Sequence, residues 1–171
     1  HPVVPVNYED AEAYAAWAGK ALPSEVEWEF AARGGLEGAA YPWGDAANPE
    51  GRYLANTWQG RFPFENLAED GFEGTSPVDA FPPNGYGLHD TCGNVWEWTV
   101  SAYSPVNGAD KSCCHREDPD PRKLLRVVKG GSHLCAPNYC MRARPAARQG
   151  ESVDSSTCHI GFRCIVRGPA T

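Results

Sequence analysis

Apolar positions in this chain form two short helical patterns near the N-terminus and then scattered alternating runs. Over residues 7–18, Asn7 is placed to cap a helix. Glu9, Asp10 and Glu12 suit the positive end of its dipole, and Gly19 supplies the stop. A second helix starts after Pro23, where Ser24 and Glu27 have capping-box spacing; Val26, Phe30 and Ala31 give an apolar face, and Gly34-Gly35 ends it. Residues 36–84 are mostly turn signals, such as Tyr41-Pro-Trp-Gly44 and Glu69-Asp-Gly-Phe72, with a short strand at Val78–Ala80. Val95–Val100, Leu125–Lys129, Met141–Arg144 and Ile160–Arg167 alternate or cluster as strands, with Gly161 a point of close approach. The polar stretch 101–120 has the character of a surface loop. The pattern predicts one irregular α+β domain over residues 1–171 with a small antiparallel sheet, no repeats and no linker.

Composition sharpens that picture. Eighteen glycines, fifteen prolines and six tryptophans in 171 residues indicate a loop-rich fold held by aromatic packing. No apolar run approaches the length of a membrane span, and no signal peptide is visible. His1-Pro-Val-Val-Pro-Val6 lacks an initiator Met, so the chain is read as the C-terminal part of something longer. A net charge of −7 argues against a nucleic-acid partner. The charge is also uneven: 20 of 22 acidic residues lie at or before Asp120, whereas Arg122–Arg148 carries seven Lys/Arg and no acid. Seven cysteines is an odd number without paired CxxC motifs, which leaves at least one thiol free or joined between chains and points to a reducing compartment.

The basic stretch holds the candidate chemistry. In Lys129-Gly-Gly-Ser-His-Leu-Cys-Ala-Pro-Asn-Tyr-Cys140, two cysteines five positions apart follow a Gly-Gly entry and flank a proline bend. Ser132, His133 and Tyr139 lie beside them. Thiolates are the nucleophiles and soft-metal ligands, and nearby cations favour them. Three readings stand: a structural disulfide, a two-sulfur site suited to Cu(I), and a zinc site drawing on Cys113-Cys114-His115, Cys158-His159 or His133, whose spacing matches no finger or ribbon. Two further stretches offer oxygen ligands for Ca²⁺. One surrounds Asp90 and Glu97 across a Gly93-Asn94 turn, and the other joins Asn56 to Glu69-Asp-Gly-Phe72. On spacing alone, ordinary turns are the favoured reading of both. No phosphate loop, nucleophile elbow or Rossmann fingerprint is present.

The motifs Ala18-Gly-Lys-Ala-Leu-Pro-Ser-Glu-Val-Glu-Trp-Glu-Phe-Ala-Ala-Arg-Gly-Gly35, Tyr41-Pro-Trp-Gly44, Gly93-Asn-Val-Trp-Glu-Trp98, Gly130-Gly-Ser132 and Gly161-Phe-Arg-Cys164 closely resemble those of the formylglycine-generating enzymes, or sulfatase-modifying factors. The cysteine pair with Ser132 and Tyr139 resembles the narrower catalytic branch of that superfamily. The resemblance implies a C-type lectin-like variant fold of low regular content. It also implies an O₂-using oxidation of a cysteine in the C-x-P-x-R motif of an unfolded sulfatase to Cα-formylglycine. By the same resemblance Cys135 and Cys140 would bind Cu(I), Ser132 and Trp96 would shape an oxygen pocket, and Tyr139 would assist hydrogen bonding. Ca²⁺ would be held by Asn56, Thr57, Asp70 and Phe72, and by Asp90, Gly93, Val95 and Glu97, with Thr57, Phe72, Gly93 and Val95 giving carbonyls. Ala15, Ala32 and Pro145 stand where secretory members carry cysteines, which implies a prokaryotic cytoplasmic setting. The family's N-terminal segment is expected to be missing. The alternatives are a non-catalytic, calcium-stabilised lectin-like binding module and a thiol–disulfide oxidoreductase.

Overall fold

A computed structural model describes residues 1–104 and 124–168 of the chain. The loop expected over 101–120 falls outside it from residue 105 onward, as do Cys113, Cys114 and His115.

Helix α1 (Tyr8–Trp17) begins where the Asn7 side chain accepts the Asp10 N–H at 2.8 Å, and it ends on Ala18 followed by Gly19 at φ +67°. Its buried face is Tyr8, Ala11 and Ala15, the spacing of one helical stripe. Helix α2 (Glu25–Arg33) opens with the reciprocal box: the Glu27 N–H donates to Ser24 Oγ, and the Ser24 N–H donates back to Glu27 at 2.8 Å. Gly34 closes it in the left-handed conformation.

The face that α2 buries is the reverse of the expected one. Val26 and Phe30 are 78% and 69% exposed, while Trp28 and Ala32 are buried. Positions 26/30 and 28/32 are two apolar stripes on opposite sides of one helix. The decision between them is made by Trp28, whose indole N–H donates to Glu97 at 2.6 Å.

The sheet runs in the order β3-β2-β1-β4, with β1 (Trp96–Ala102), β2 (Leu125–Lys129), β3 (Arg148–Ser152) and β4 (Ile160–Gly161). β1 pairs antiparallel with β2 through Glu97↔Lys129 and Trp98↔Val128, and β2 with β3 from Leu125↔Ser152 to Lys129↔Arg148. β4 lies parallel to β1, so the sheet is mixed rather than wholly antiparallel.

Three expected strands change. Met141–Arg144 is irregular, and the strand next to β2 is the polar Arg148–Ser152. Val78–Ala80 is a turn closed by the Ala80 N–H to the Pro77 carbonyl at 3.1 Å. The strand expected over 160–167 shortens to Ile160–Gly161 plus an isolated bridge between Ala21 and Ile165. Gly161 is the expected close approach: a Cβ there would sit 3.1 Å from Val95 Cγ2 and 3.2 Å from the Val3 carbonyl oxygen.

The core gathers Tyr8, Ala11, Ala15, Leu22, Trp96, Trp98, Val128, Cys135 and Ile160. Trp98 is central; its indole N–H donates to the Val6 carbonyl at 3.1 Å and Tyr8 meets its ring edge-on. On the α2 side the contact is ionic. Lys129 is fully buried, with Nζ 2.9 Å from Glu29 Oε2 and 3.7 Å from Glu25 Oε1. Arg148 pairs with Glu25 at 2.7 Å. This places the end of β2, from which the cysteine segment departs, on a fixed footing.

Candidate active site

Beyond Lys129 the chain turns through Gly130 (φ +92°) and Gly131 (φ +74°). A Cβ on Gly131 would come within 2.7 Å of Ala143 Cα, so no larger residue fits without moving backbone. The segment then folds on itself. The Cys135 N–H donates to the Ser132 carbonyl at 2.9 Å, and the Ser132 N–H donates to Cys135 Sγ at 3.4 Å. The Tyr139 and Cys140 N–H groups both donate to the Ala136 carbonyl, at 3.0 and 2.8 Å. That turn returns Cys140 to the neighbourhood of Cys135, and neither thiol is bridged. Burial is the main influence on the Cys135 thiol and pushes its pKa well above the ordinary value. The neighbouring Cys140 adds to this and the Ser132 N–H opposes it.

The opposite wall comes from far earlier in the chain. The Trp58 N–H donates to the Cys135 carbonyl at 3.2 Å, and Asn138 Nδ2 donates to the Gly60 carbonyl at 3.1 Å. Together these walls enclose a cleft of about 370 Å³ lined by both cysteines, Trp43, Tyr53, Trp58, Glu69 and Arg144, among others. Among the described lining residues Glu69 is the one acid and Arg144 the one cation. The Tyr53 hydroxyl donates to Glu69 and steadies that carboxylate.

Of the residues expected at this site, Cys135 and Cys140 line the cleft, and Ser132 contacts Cys135 from a fully buried position with its Oγ accepting the Leu134 N–H at 3.2 Å. Trp96 lies outside the lining, 3% exposed in the cluster that also contains Cys135. The Tyr139 ring is 72% exposed and stacks on Phe62 with centroids 4.8 Å apart. Trp43, Tyr53 and Trp58 were not assigned to this site from the sequence; Glu69 was read only within an oxygen-ligand stretch and Arg144 only within the basic stretch. For Trp43 the only hint was the Tyr-Pro-Trp-Gly turn.

The soft donor set fits a thiophilic ion. Two adjacent sulfurs with Cys135 held protonated by burial would exchange a proton for Cu(I). For zinc, the cleft lining contains no histidine, and His133 Nδ1 is engaged with the Asn94 carbonyl at 2.9 Å; among the described residues no three His, Cys, Asp or Glu gather in a cage.

The two oxygen-rich stretches differ. Both carboxylate oxygens of Asp90 are buried with no hydrogen-bond partner. Burial, then the nearby Glu97 charge, pushes its pKa up to about 6, against a pull from Arg163. An orphaned buried carboxylate is what a hard cation satisfies. It lines a second cavity with Val95 and Glu97, while Gly93 packs so tightly that a Cβ would lie 2.2 Å from the Asn56 carbonyl oxygen. Glu97, however, already accepts from Trp28 and from Arg163 at 2.5 and 2.7 Å.

At the other stretch Asp70 accepts N–H groups from Thr57 (2.9 Å), Gln59 (2.8 Å) and Phe72 (3.0 Å). Asn56 is fully buried with Nδ2 on the Gly74 carbonyl and Oδ1 unpartnered. The Asp90 cradle therefore fits Ca²⁺ best. Asn56 Oδ1 gives the second a single open donor.

A loop-rich α+β domain that ends a buried strand in a two-thiol hook defines a class, and the comparison with known proteins agrees. Residues 1–168 match the sulfatase-modifying factor enzyme 1-like domain, and the chain belongs to that family. It is 55% identical over 172 residues to the formylglycine-generating enzyme of Mycobacterium tuberculosis, covering 96% of this chain and 57% of that protein. It is 52% identical to the formylglycine-generating enzyme of Mus musculus (96% and 44% covered). A mouse relative named inactive C-alpha-formylglycine-generating enzyme 2 is 49% identical (95% and 48% covered). The chain thus spans about half the length of the curated relatives it matches. Among solved structures, PvdO from Pseudomonas aeruginosa aligns with TM-score 0.67 at 30% identity, over 95% of this chain and 60% of PvdO. CarF, at 22% identity and TM-score 0.65, shares the fold (96% and 67% covered).

Proposed function

We propose that this chain carries the catalytic thiol site of a formylglycine-generating oxidase. Its substrate is a cysteine in a C-x-P-x-R segment of an unfolded sulfatase, oxidised by O₂ to Cα-formylglycine. The observation that supports this reading best is the pair of unbridged thiols lining one cleft. Cys135 and Cys140 would hold Cu(I), which supplies one-electron chemistry with O₂ when bound. The residues of the chain do the rest. The Ser132 N–H orients Cys135 Sγ, the Ala136 turn holds Cys140 beside it, and the aromatic wall of Trp43 and Trp58 excludes water from the client sulfur. Conversion of the client CH₂–SH to the aldehyde releases H₂S and removes two electrons. The other two that reduce O₂ to water come from two equivalents of an external thiol, which leave as a disulfide. Ca²⁺ at Asp90, with carbonyls of Gly93 and Val95, and at Asn56 would brace the scaffold. The same reading keeps the prokaryotic cytoplasm as the setting.

A non-catalytic, calcium-stabilised lectin-like module is the second reading, favoured by the existence of a relative named inactive at 49% identity. Thiol–disulfide exchange is disfavoured by burial, which depletes the Cys135 thiolate that exchange requires. The deciding experiment is mass spectrometry of a C-x-P-x-R peptide incubated in air with copper-loaded full-length protein and a thiol reductant. Aldehyde should form with the wild type and vanish with Cys135→Ser or Cys140→Ser. Equal aldehyde from the double serine variant would remove the reading.

A further inference from the structure

We infer that His133 and His159, both outside the lining of the cleft, form a two-imidazole site that holds a Cu(I) ion of its own. The inference does not rest on the proposed reading of the cleft. It concerns nitrogen donors, and it stands or falls whatever the two thiols do.

One short piece of chain brings the two histidines together. The His133 N–H donates to the Asn94 carbonyl at 2.9 Å, and the Trp96 N–H donates to the His159 carbonyl at 2.8 Å. Residues 94 and 96 are two positions apart, so the histidine backbones are anchored within about 7 Å of each other. The rings feel one another across that interval. Burial is the main cause that lowers the His159 pKa, and the nearby His133 lowers it further.

Each ring has a nitrogen suited to a metal. His133 is 7% exposed, and its Nδ1 lies 2.9 Å from the Asn94 carbonyl oxygen. A carbonyl only accepts, so Nδ1 carries the proton and Nε2 of the neutral ring keeps its lone pair. A backbone carbonyl on the other nitrogen is the usual means of orienting a ligating imidazole. His159 Nδ1 is sealed from solvent with no hydrogen-bond partner, and so is Thr157 Oγ1 in the same turn. Two orphaned polar atoms in one turn call for an occupant.

Coordination number and charge select that occupant. Zinc needs four donors, and among the described residues no third His, Cys, Asp or Glu joins this pair. Cu(I) is stable with two donors and accepts imidazole. Its single charge also suits the surroundings. The carboxylate that acts on His159 is Glu151, which raises the pKa against burial and would offset one positive charge. A divalent ion would keep a second charge uncompensated in a half-buried place. The adjacent Cys158 is exposed and is not required.

The test uses full-length protein labelled with ¹⁵N-histidine and carrying Cys135→Ser/Cys140→Ser, which removes the dithiol. Cu(I) is added without air against a chromophoric chelator while the imidazole nitrogen resonances are followed. The ion is diamagnetic, so every shift reports ligation. The expected result is a joint shift of His133 Nε2 and His159 Nδ1 with His89 unmoved. A further His159→Asn substitution should lower the Cu(I) affinity at least tenfold and remove the His133 shift. The same joint shift is expected in wild type once its thiols are filled, so the outcome does not depend on any variant folding.

Unmoved His133 and His159 nitrogens while Cu(I) is taken up would overturn the inference, assigning the ion to other thiols and the orphaned atoms to a bridging water. Equal Cu(I) affinity with and without His159 would overturn it too. Failure of the proposed reaction is read separately, as absence of aldehyde from a cysteine peptide with wild-type protein.

Discussion

Lys129 has no exposed surface, yet the carboxylates that neutralise it are partly open, Glu29 at 29% and Glu25 at 21%. Removing one side of this ion pair therefore differs from removing the other. Glu29→Ala leaves an ammonium buried, with its nearest remaining carboxylate 3.7 Å away on Glu25. Breaking a buried pair this way costs about 3–5 kcal/mol, and water reaching the half-open site reduces it to about 2–3 kcal/mol. Loss of the Arg33–Glu29 helix pair adds roughly 0.3–0.5 kcal/mol. Lys129→Met keeps the packed stem and removes the buried charge. Glu29 keeps Arg33 at 2.6 Å and Glu25 keeps Arg148 at 2.7 Å. Its stability should stay within about 1 kcal/mol of wild type. In the Lys129→Met background, Glu29→Ala should then cost only about 0.5 kcal/mol, a coupling near 2 kcal/mol. Urea unfolding followed by circular dichroism, compared at constant slope, measures all four proteins. Additive losses, or Lys129→Met costing as much as Glu29→Ala, would refute the account of Lys129 as a charge made tolerable only by its partners.

Three other outcomes are expected. The Glu27 carboxyl is held down from 4.5 to about 2, first by Arg167 and then by the Ser24 N–H. Its contribution is therefore complete above pH 4.5 and is lost as the pH falls toward 2; acid titration of Glu27→Gln should converge with wild type at the bottom of that window, and Ser24→Ala should cost about 1 kcal/mol at neutral pH. Asp90→Asn should raise the Tm in chelator, because it removes an unpartnered buried charge, and added CaCl₂ should raise the Tm of wild type but not of the variant; an equal calcium response in both would place the ion elsewhere. In alkylation mapped by mass spectrometry, among the described cysteines exposed Cys158 should react first and buried Cys92 and Cys135 last, and Cu(I) should protect Cys135 and Cys140 but not Cys158.

Local chemistry was legible in the sequence where it is decided locally. The Ser24–Glu27 box, the Asn7 cap and the Gly130-Gly131 turn each depend on residues within one turn of chain, and each stands where the sequence puts it. The buried side of α2 was not legible, because the sequence offers two equivalent stripes and a hydrogen bond to Glu97, 69 residues away, chooses between them. β3 was missed for a related reason. Arg-Gln-Gly-Glu-Ser has no alternation, and it is a strand because β2 presents a partner in register. The thiol hook was visible as spacing. Its facing wall was not, since Trp58 meets Cys135 from far earlier in the chain.

The hook itself is a short-range structure, with its two cysteines five positions apart. Chain segments of that size close in about 10–100 ns, whereas a ribosome adds roughly 5–20 residues per second. The sulfurs therefore meet almost as soon as Cys140 is free, long before synthesis ends. Because Trp43 and Trp58 are made first, the residues of the far wall are already synthesised when the dithiol emerges and can close over it as it forms, which shortens the interval in which it stands open to adventitious oxidation. A circular permutant starting near residue 124 would reverse that order and leave the pair uncovered throughout translation.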